Sequence, residues 1–166
     1  MKIKPLIIAC LAGLLLNTAI SQNTVAQTAS QIKKMRAVGI PVILPSYIPP
    51  GYKLTSFKID FSDGHSYEAM YEGPNNCGFG INGSDSSIGG DDPIRLWTVN
   101  TELFGKLSLQ ELSNSNGKRP NFFQAMASPE FPKYPKAGYT FAFGCEYSVF
   151  SRQQAEQILK SAHIVK

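Results

Sequence analysis

The sequence predicts an α+β fold: a mostly antiparallel sheet packed by a C-terminal amphipathic helix and carrying one disulfide. Three observations point there. Apolar and polar residues alternate on both sides of an Asp63-Gly64 turn signal. The tail has helical spacing behind a capping residue. Eleven prolines and fourteen glycines in 166 residues punctuate the chain into short elements.

The N-terminus reads as a cleaved signal peptide over residues 1–26. Lys2 and Lys4 precede an apolar stretch from Pro5 to Leu16, and Thr24-Val25-Ala26 supplies the small residues a signal peptidase selects. The apolar core falls short of the roughly 20 residues a membrane-spanning helix needs. Cys10 lies inside that core, whereas a lipid-attachment cysteine follows it. The mature chain is therefore expected to have no membrane span. Residues 27–40 form a short leading helix or linker, with Ile32 and Met35 on one side and Gly39 and Pro41 ending it. Residues 41–166 make a single α+β domain.

Within that domain, the prolines of Pro41 to Leu54 give an extended entry segment unsuited to a central strand. Phe57, Ile59 and Phe61 then alternate with Lys58 and Asp60, and Tyr67, Ala69 and Tyr71 alternate with Glu68, Met70 and Glu72. With Asp63-Gly64 between them, these form a hairpin. Cys77, Phe79 and Ile81 begin a third short strand, which is expected to dissolve into a Gly/Ser/Asp loop from Asn82 onward. Ile94 to Leu112 gives two more strands bent at Gly105, and Asn116-Gly117 turns the chain into Asn121 to Ser128. Gly138 to Phe150 reads as a buried strand. Ser151 and Gln154 then make a capping box, and Ala155, Ile158, Leu159 and Ala162 form one face of a helix over about residues 152–162.

The two cysteines beyond the leader, Cys77 and Cys145, allow one pairing, and an oxidising compartment preserves it. The formal charge of +4 falls to +2 without Lys2 and Lys4, leaving 14 basic and 12 acidic residues. From Lys53 onward, 11 basic residues face 12 acidic ones. That balance lacks the concentrated basic face of a nucleic-acid binder, so no nucleic-acid partner is expected.

The most conspicuous motif is Gly78-Phe79-Gly80-Ile81-Asn82-Gly83, which spells G-x-G-x-x-G. A nucleotide cradle needs a helix directly after it. Here Ser84 to Gly90 is a poor helix former, and Asp91 and Asp92 put negative charge where a phosphate would sit. The glycines read instead as turn chemistry, and no cofactor is expected. Asp85, Asp91 and Asp92 are candidate calcium ligands, although their spacing matches no known calcium loop. Asn82, Ser84, Asp85, Ser86, Ser87, Asp91 and Asp92 form a candidate contact loop for a partner.

Catalytic signals are sparse. His65 and His163 are the only histidines, and no G-x-S-x-G elbow is present. No catalytic residue is assigned. A secreted hydrolase would have to assemble a dispersed site near His65. Glu68 and Glu72, on one strand face, stand about 13 Å apart, too far for a glycosidase pair. Lys118-Arg119 reads as an exposed tip. Phe122-Phe123 puts one ring on each face of its strand, leaving one as a candidate partner contact. Trp97 and the aromatic residues between Tyr139 and Phe150 read as core.

The stretches LPSYIPPGYKL, from Leu44, and GYTFAFGCEYSVFSRQQAEQILKSAHIV, from Gly138, resemble a small extracytoplasmic bacterial domain of unknown function. Such modules open with Leu-Pro-x-Gly-aromatic, and some stand beside lipoprotein-sorting-like or envelope-stress regulatory domains. The resemblance implies an α+β envelope domain with no established reaction, and it transfers no catalytic residue. The expected function is a non-enzymatic module that binds a protein, peptide or envelope component in the periplasm or outside the cell. A calcium-dependent binding module is the other non-enzymatic alternative.

Overall fold

The computed structural model describes residues 29–85, 93–112, 122–129 and 136–166. The expected signal peptide, Cys10, the Asn116-Gly117 turn and Lys118-Arg119 lie outside these residues. The described chain is mostly antiparallel sheet with two helices, α1 (Ala29–Arg36) and α2 (Arg152–Lys160). The strands are β1 (Ile43–Pro45), β2 (Lys53–Asp60), β3 (Ser66–Glu72), β4 (Cys77–Ser84), β5 (Arg95–Thr101), β6 (Gly105–Leu112), β7 (Phe122–Ala127), β8 (Gly138–Cys145) and β9 (Ala162–Ile164).

Seven strands form one sheet in the order β2-β3-β4-β8-β7-β6-β5, and β1 pairs with β9 in a separate two-stranded ribbon. Every pairing is antiparallel. The hairpin at Asp63-Gly64 forms as the alternation predicts. β8 enters between β4 and β7, so two strands distant in sequence share the centre of the sheet. Its position brings Cys77 opposite Cys145 in register, and the two are disulfide-bonded.

Strand periodicity separates the two faces. One face carries Tyr67, Ala69 and Tyr71 of β3, Phe79 and Ile81 of β4, Tyr139, Phe141 and Phe143 of β8, and Phe123 and Ala125 of β7. All are buried, in one cluster with Met35, Val38, Ile43, Leu44, Phe150, Ala155, Ile158 and Leu159. Aromatic contacts run through this cluster. Tyr71 stacks on Phe79 at 4.4 Å, and Phe143 meets both Phe79 and Phe150. Burying an aromatic or large aliphatic side chain contributes about 1.5–3 kcal/mol, so this layer is the main source of stability. Arg152 of α2 stands over the Trp97 ring of β5, 5.3 Å from its centroid.

Two expectations need correction. The third strand does not dissolve after Ile81: β4 continues to Ser84, pairing with β3 on one side and β8 on the other. The final helix stops at Lys160 rather than near Ala162. Ser161 caps it, and the chain turns extended so that Ala162, His163 and Ile164 pair with Pro45, Leu44 and Ile43. The entry segment is tied down further by two tyrosines. The Tyr67 hydroxyl donates to the Ile43 carbonyl and accepts from the Ile43 N–H, and the Tyr139 hydroxyl donates to Pro41 O at 2.8 Å.

Candidate functional site

The glycines of the G-x-G-x-x-G motif all fall inside β4, and none has a positive φ. They are strand glycines rather than turn glycines, and each leaves space for a neighbour. A Cβ on Gly83 would lie 2.3 Å from Tyr67 Cε1 and 3.0 Å from Tyr139 Cε1, so Gly83 makes room for the two clamping tyrosines. Gly78 and Gly80 lie on the opposite face. There a Cβ would stand 2.9 Å from the Tyr71 carbonyl oxygen and 2.8 Å from Met70 Sδ, respectively.

Among the expected contact-loop residues, Asn82 and Ser84 belong to this central strand. Asn82 pairs with Glu68 and Thr140, and Ser84 with Ser66 and Gly138. Asp85 follows the strand directly. Ser86, Ser87, Asp91 and Asp92 lie outside the described residues.

Asp85 is bound to His65. The His65 N–H donates to Asp85 Oδ1 at 3.0 Å, and His65 Nδ1 lies 3.2 Å from Oδ2. In return, the Asp85 N–H donates to the His65 carbonyl at 3.2 Å. The hydrogen bond from the His65 side chain, helped by the one from its backbone, holds the Asp85 carboxyl below the usual carboxylate range. Both carboxylate oxygens are therefore engaged by His65. The ring itself is flanked by Gly39, which backs onto its Cδ2–Nε2 edge, and by the Phe61 ring edge-on at 5.7 Å. Among the described residues, no three His, Cys, Asp or Glu side chains converge as a metal site would require.

The face of the sheet opposite the core has a different character. Across β4 and β8, the register pairs Gly78–Gly144 and Gly80–Ala142 leave almost no side chain above the backbone. They floor a shallow depression of about 480 Å³, walled by Met70 and Phe122 and bordered at one end by Glu68, Asn82 and Thr140. Phe122 is the ring of the Phe-Phe pair that leaves the core, while Phe123 is buried.

Beyond the depression the same face continues through Gln124 and Met126 of β7 and Ser108, Gln110 and Leu112 of β6 to Leu96 and Thr98 of β5, with Leu112 itself buried. Leu96 is 60% exposed, beside Ile94 at 52% just ahead of the strand. Among the described residues, this face carries no charged side chain from β4 to β5 between the Asn82–Thr140 row and the Gly78–Gly144 row. The Lys58–Glu68 ion pair lies on its β2–β3 margin. Two buried oxygens on the same face, Thr140 Oγ1 and Gln110 Oε1, have no hydrogen-bond partner among the described residues.

Sequence reasoning offered one ring of the Phe122-Phe123 pair as a contact, without choosing between them, and missed the surface around Phe122. The signal is discontinuous, because Gly78, Gly80, Ala142 and Gly144 become one floor only when β8 pairs with β4. A scan against protein-family models finds no match for the chain, and a search of curated proteins finds none either.

Proposed function

We propose that this chain is an exported, non-enzymatic interaction module that meets its partner through the open face of the seven-stranded sheet. The observation that carries this reading is the stretch between the Asn82–Thr140 row and the Gly78–Gly144 row, which crosses five adjacent strands without a charged side chain among the described residues. Across the whole chain, charged residues make up 17% of the sequence. Contact surfaces are marked by loss of charge at their centre and by aromatic and Met side chains, which Phe122, Met70 and Met126 supply. Soluble folds seldom leave such a patch bare unless something docks on it. The His65–Asp85 pair is read as a clasp that fixes the end of the β3–β4 hairpin, not as part of a catalytic site.

Export rests on the leader-like residues 1–26 and on the Cys77–Cys145 disulfide, a bond that persists in oxidising compartments. No helix among the described residues is long and apolar enough to cross a membrane. The resemblance of the entry and closing segments to extracytoplasmic bacterial domains supports the cell envelope as its location.

Site-specific photocrosslinking in the producing cell tests the contact face. A photoreactive residue at Ala142 should give discrete adducts that Leu96→Lys abolishes, while one at Glu102, in the β5–β6 turn, should give none. Adducts from Glu102 alone would sink the assignment of the face. N-terminal sequencing of the exported protein should begin at Gln27, and an intact Met1 would remove the export argument.

A further inference from the structure

The Cys77–Cys145 bond lies at the rim of the core rather than inside it. Both cysteines are half-buried, and each stands at an end of its strand. They occupy a register position whose own backbone groups are not bonded to each other. The Glu146 N–H donates instead to Asn76 O, just outside the pair. From Gly78–Gly144 to Ser84–Gly138 the ladder between β4 and β8 is continuous, and β8 is also bonded to β7. The ladder, rather than the disulfide, keeps these strands paired.

The two sulfurs have different surroundings. Gly73, just after β3, is the neighbour of Cys77 on the side away from Cys145, and its N–H donates to Cys77 O. The Tyr52 ring fills the space over Gly73, where a Cβ would stand 2.5 Å from three ring carbons. Tyr52 thus covers Cys77 on the side from which an incoming sulfur must come if Cys145 is to leave. Beyond Cys145, among the described residues, β8 is paired with β7 only as far as Phe143. Ser148 Oγ lies 3.6 Å from Cys77 Sγ, and a disulfide sulfur has no proton, so the hydroxyl is the donor. Negative charge developing on Cys77 therefore meets an O–H group. Asn75 O, 3.8 Å from the same sulfur, can accept the thiol proton afterwards. Ser148 belongs to a run of four exposed residues that follows Cys145. Its neighbours are large and apolar: Tyr147 is 77% exposed and Val149 is 58% exposed.

We infer that Cys77–Cys145 is a thiol-exchange site, opened in the folded protein by a thiolate that attacks Cys145 Sγ and expels Cys77, with Tyr147 and Val149 as the footing for a dithiol protein. This is independent of the contact reading of the open face, because the disulfide packs against the core on the other side of the sheet. The incoming thiolate forms a bond to Cys145 Sγ as the bond between the cysteines breaks. Cys77 leaves as a thiolate held by the Ser148 O–H and then takes a proton from water. The second thiol of the dithiol, as its thiolate, attacks the mixed disulfide and releases Cys145. Two electrons have then passed to the protein, and the dithiol has become a disulfide. The same steps in reverse close the bond, and the reduction potentials of the two pairs set the direction.

Reduction of the folded, oxidised chain tests the inference. With dithiothreitol, the rate should be first order in reagent and unchanged by urea below the unfolding transition. A rate that saturates with reagent and climbs with urea would mean that only the unfolded chain is opened, and would overturn the inference. Reduced glutathione carries a single thiol, and peptide mass spectrometry after an acid quench should find it on Cys145. An adduct on Cys77 overturns the direction of attack. Ser148→Ala should slow reduction roughly tenfold, the worth of one hydrogen bond to a developing charge, whereas Ser148→Thr should not. Equal rates in Ser148→Ala and wild type, with unchanged near-ultraviolet circular dichroism, would remove the basis for Cys77 as leaving group. Tyr147→Ser should slow reduction by thioredoxin, a dithiol protein, and leave the dithiothreitol rate as it was. Slowing of both reagents alike, or of neither, would overturn the footing.

Discussion

His65 and Asp85 are bonded to each other at three points, through both carboxylate oxygens of Asp85 and through the backbone in both directions. They stand where β3 begins and β4 has just ended, so the pair closes the hairpin at its open end. The side chains are exposed, and the pair needs no active-site chemistry to explain it.

The pair makes stability depend on pH in a definite direction. Asp85 titrates below its ordinary value of 3.8 because the folded state favours its charged form. A depressed carboxyl contributes stability that is present above the unfolded value and lost as pH falls through the folded one. Urea midpoints measured from pH 7 to pH 2 should therefore decline below about pH 4, and Asp85→Asn should flatten that decline. Asp60, lowered by its hydrogen bonds from Ser62, acts in the same sense and will leave a residual slope. An acid limb identical in Asp85→Asn and wild type would remove the role assigned to the pair.

Two glycines of neighbouring strands should respond oppositely to one methyl group. At Gly83 the new Cβ meets the buried ring of Tyr67, whose hydroxyl is committed to Ile43, so the ring cannot step aside freely. Gly83→Ala should cost about 1–3 kcal/mol, the range for overpacking. At Gly144 the nearest atom is Phe122 Cβ at 3.6 Å, an ordinary contact. Gly144→Ala should be neutral or stabilise by up to about 1 kcal/mol through the lost freedom of the unfolded chain. Equal urea midpoints for the two variants would contradict this account of β4.

The contrast also explains what can be read from the sequence. Phe57 and Ile59, then Tyr67, Ala69 and Tyr71, alternate strictly and sit beside a turn dipeptide, so local pattern is enough to place that hairpin. Ser151 likewise announces α2, and its hydroxyl accepts from the Gln154 N–H. Local propensity ends β4 too early, because Asn82, Gly83 and Ser84 are poor strand formers. They remain extended because strands on both sides bond to them and because Tyr67 and Tyr139 require a glycine between them. Ala162 continues a helical face in sequence yet leaves the helix to pair with Pro45, a partner far away along the chain. The open face is the extreme case, since its floor comes from two strands that the chain order does not place together.

The disulfide joins strands that the sheet already holds in register, so its contribution lies mainly in the unfolded chain. With 68 residues separating Cys77 from Cys145, the loop-closure model gives about 4 kcal/mol. Replacing both cysteines by Ala should lower stability by about 2–4 kcal/mol without altering the far-ultraviolet spectrum. A loss under about 1 kcal/mol would mean that the unfolded chain keeps these strands together without the bond.

Tyr67 offers the sharpest test of how the entry segment is held. Burial lifts its phenol well above the ordinary tyrosine range, so it stays protonated and can donate to the Ile43 carbonyl while accepting from the Ile43 N–H. Tyr67→Phe keeps the ring beside Phe57 and removes only the oxygen, leaving two backbone groups of β1 without that partner. The cost should be about 1–3 kcal/mol. The loss should be local first: amide exchange at Ile43 should accelerate more than exchange within β4 or β8. The alkaline limb responds too. A phenol raised in the folded state gives stability that is full below the unfolded value of 10.0 and is lost as pH climbs above it. Tyr67→Phe should therefore soften unfolding above about pH 10, leaving the part due to Tyr71, which burial also raises. Uniform acceleration of exchange across the sheet, with the alkaline limb unchanged, would show that Tyr67 acts as packing alone.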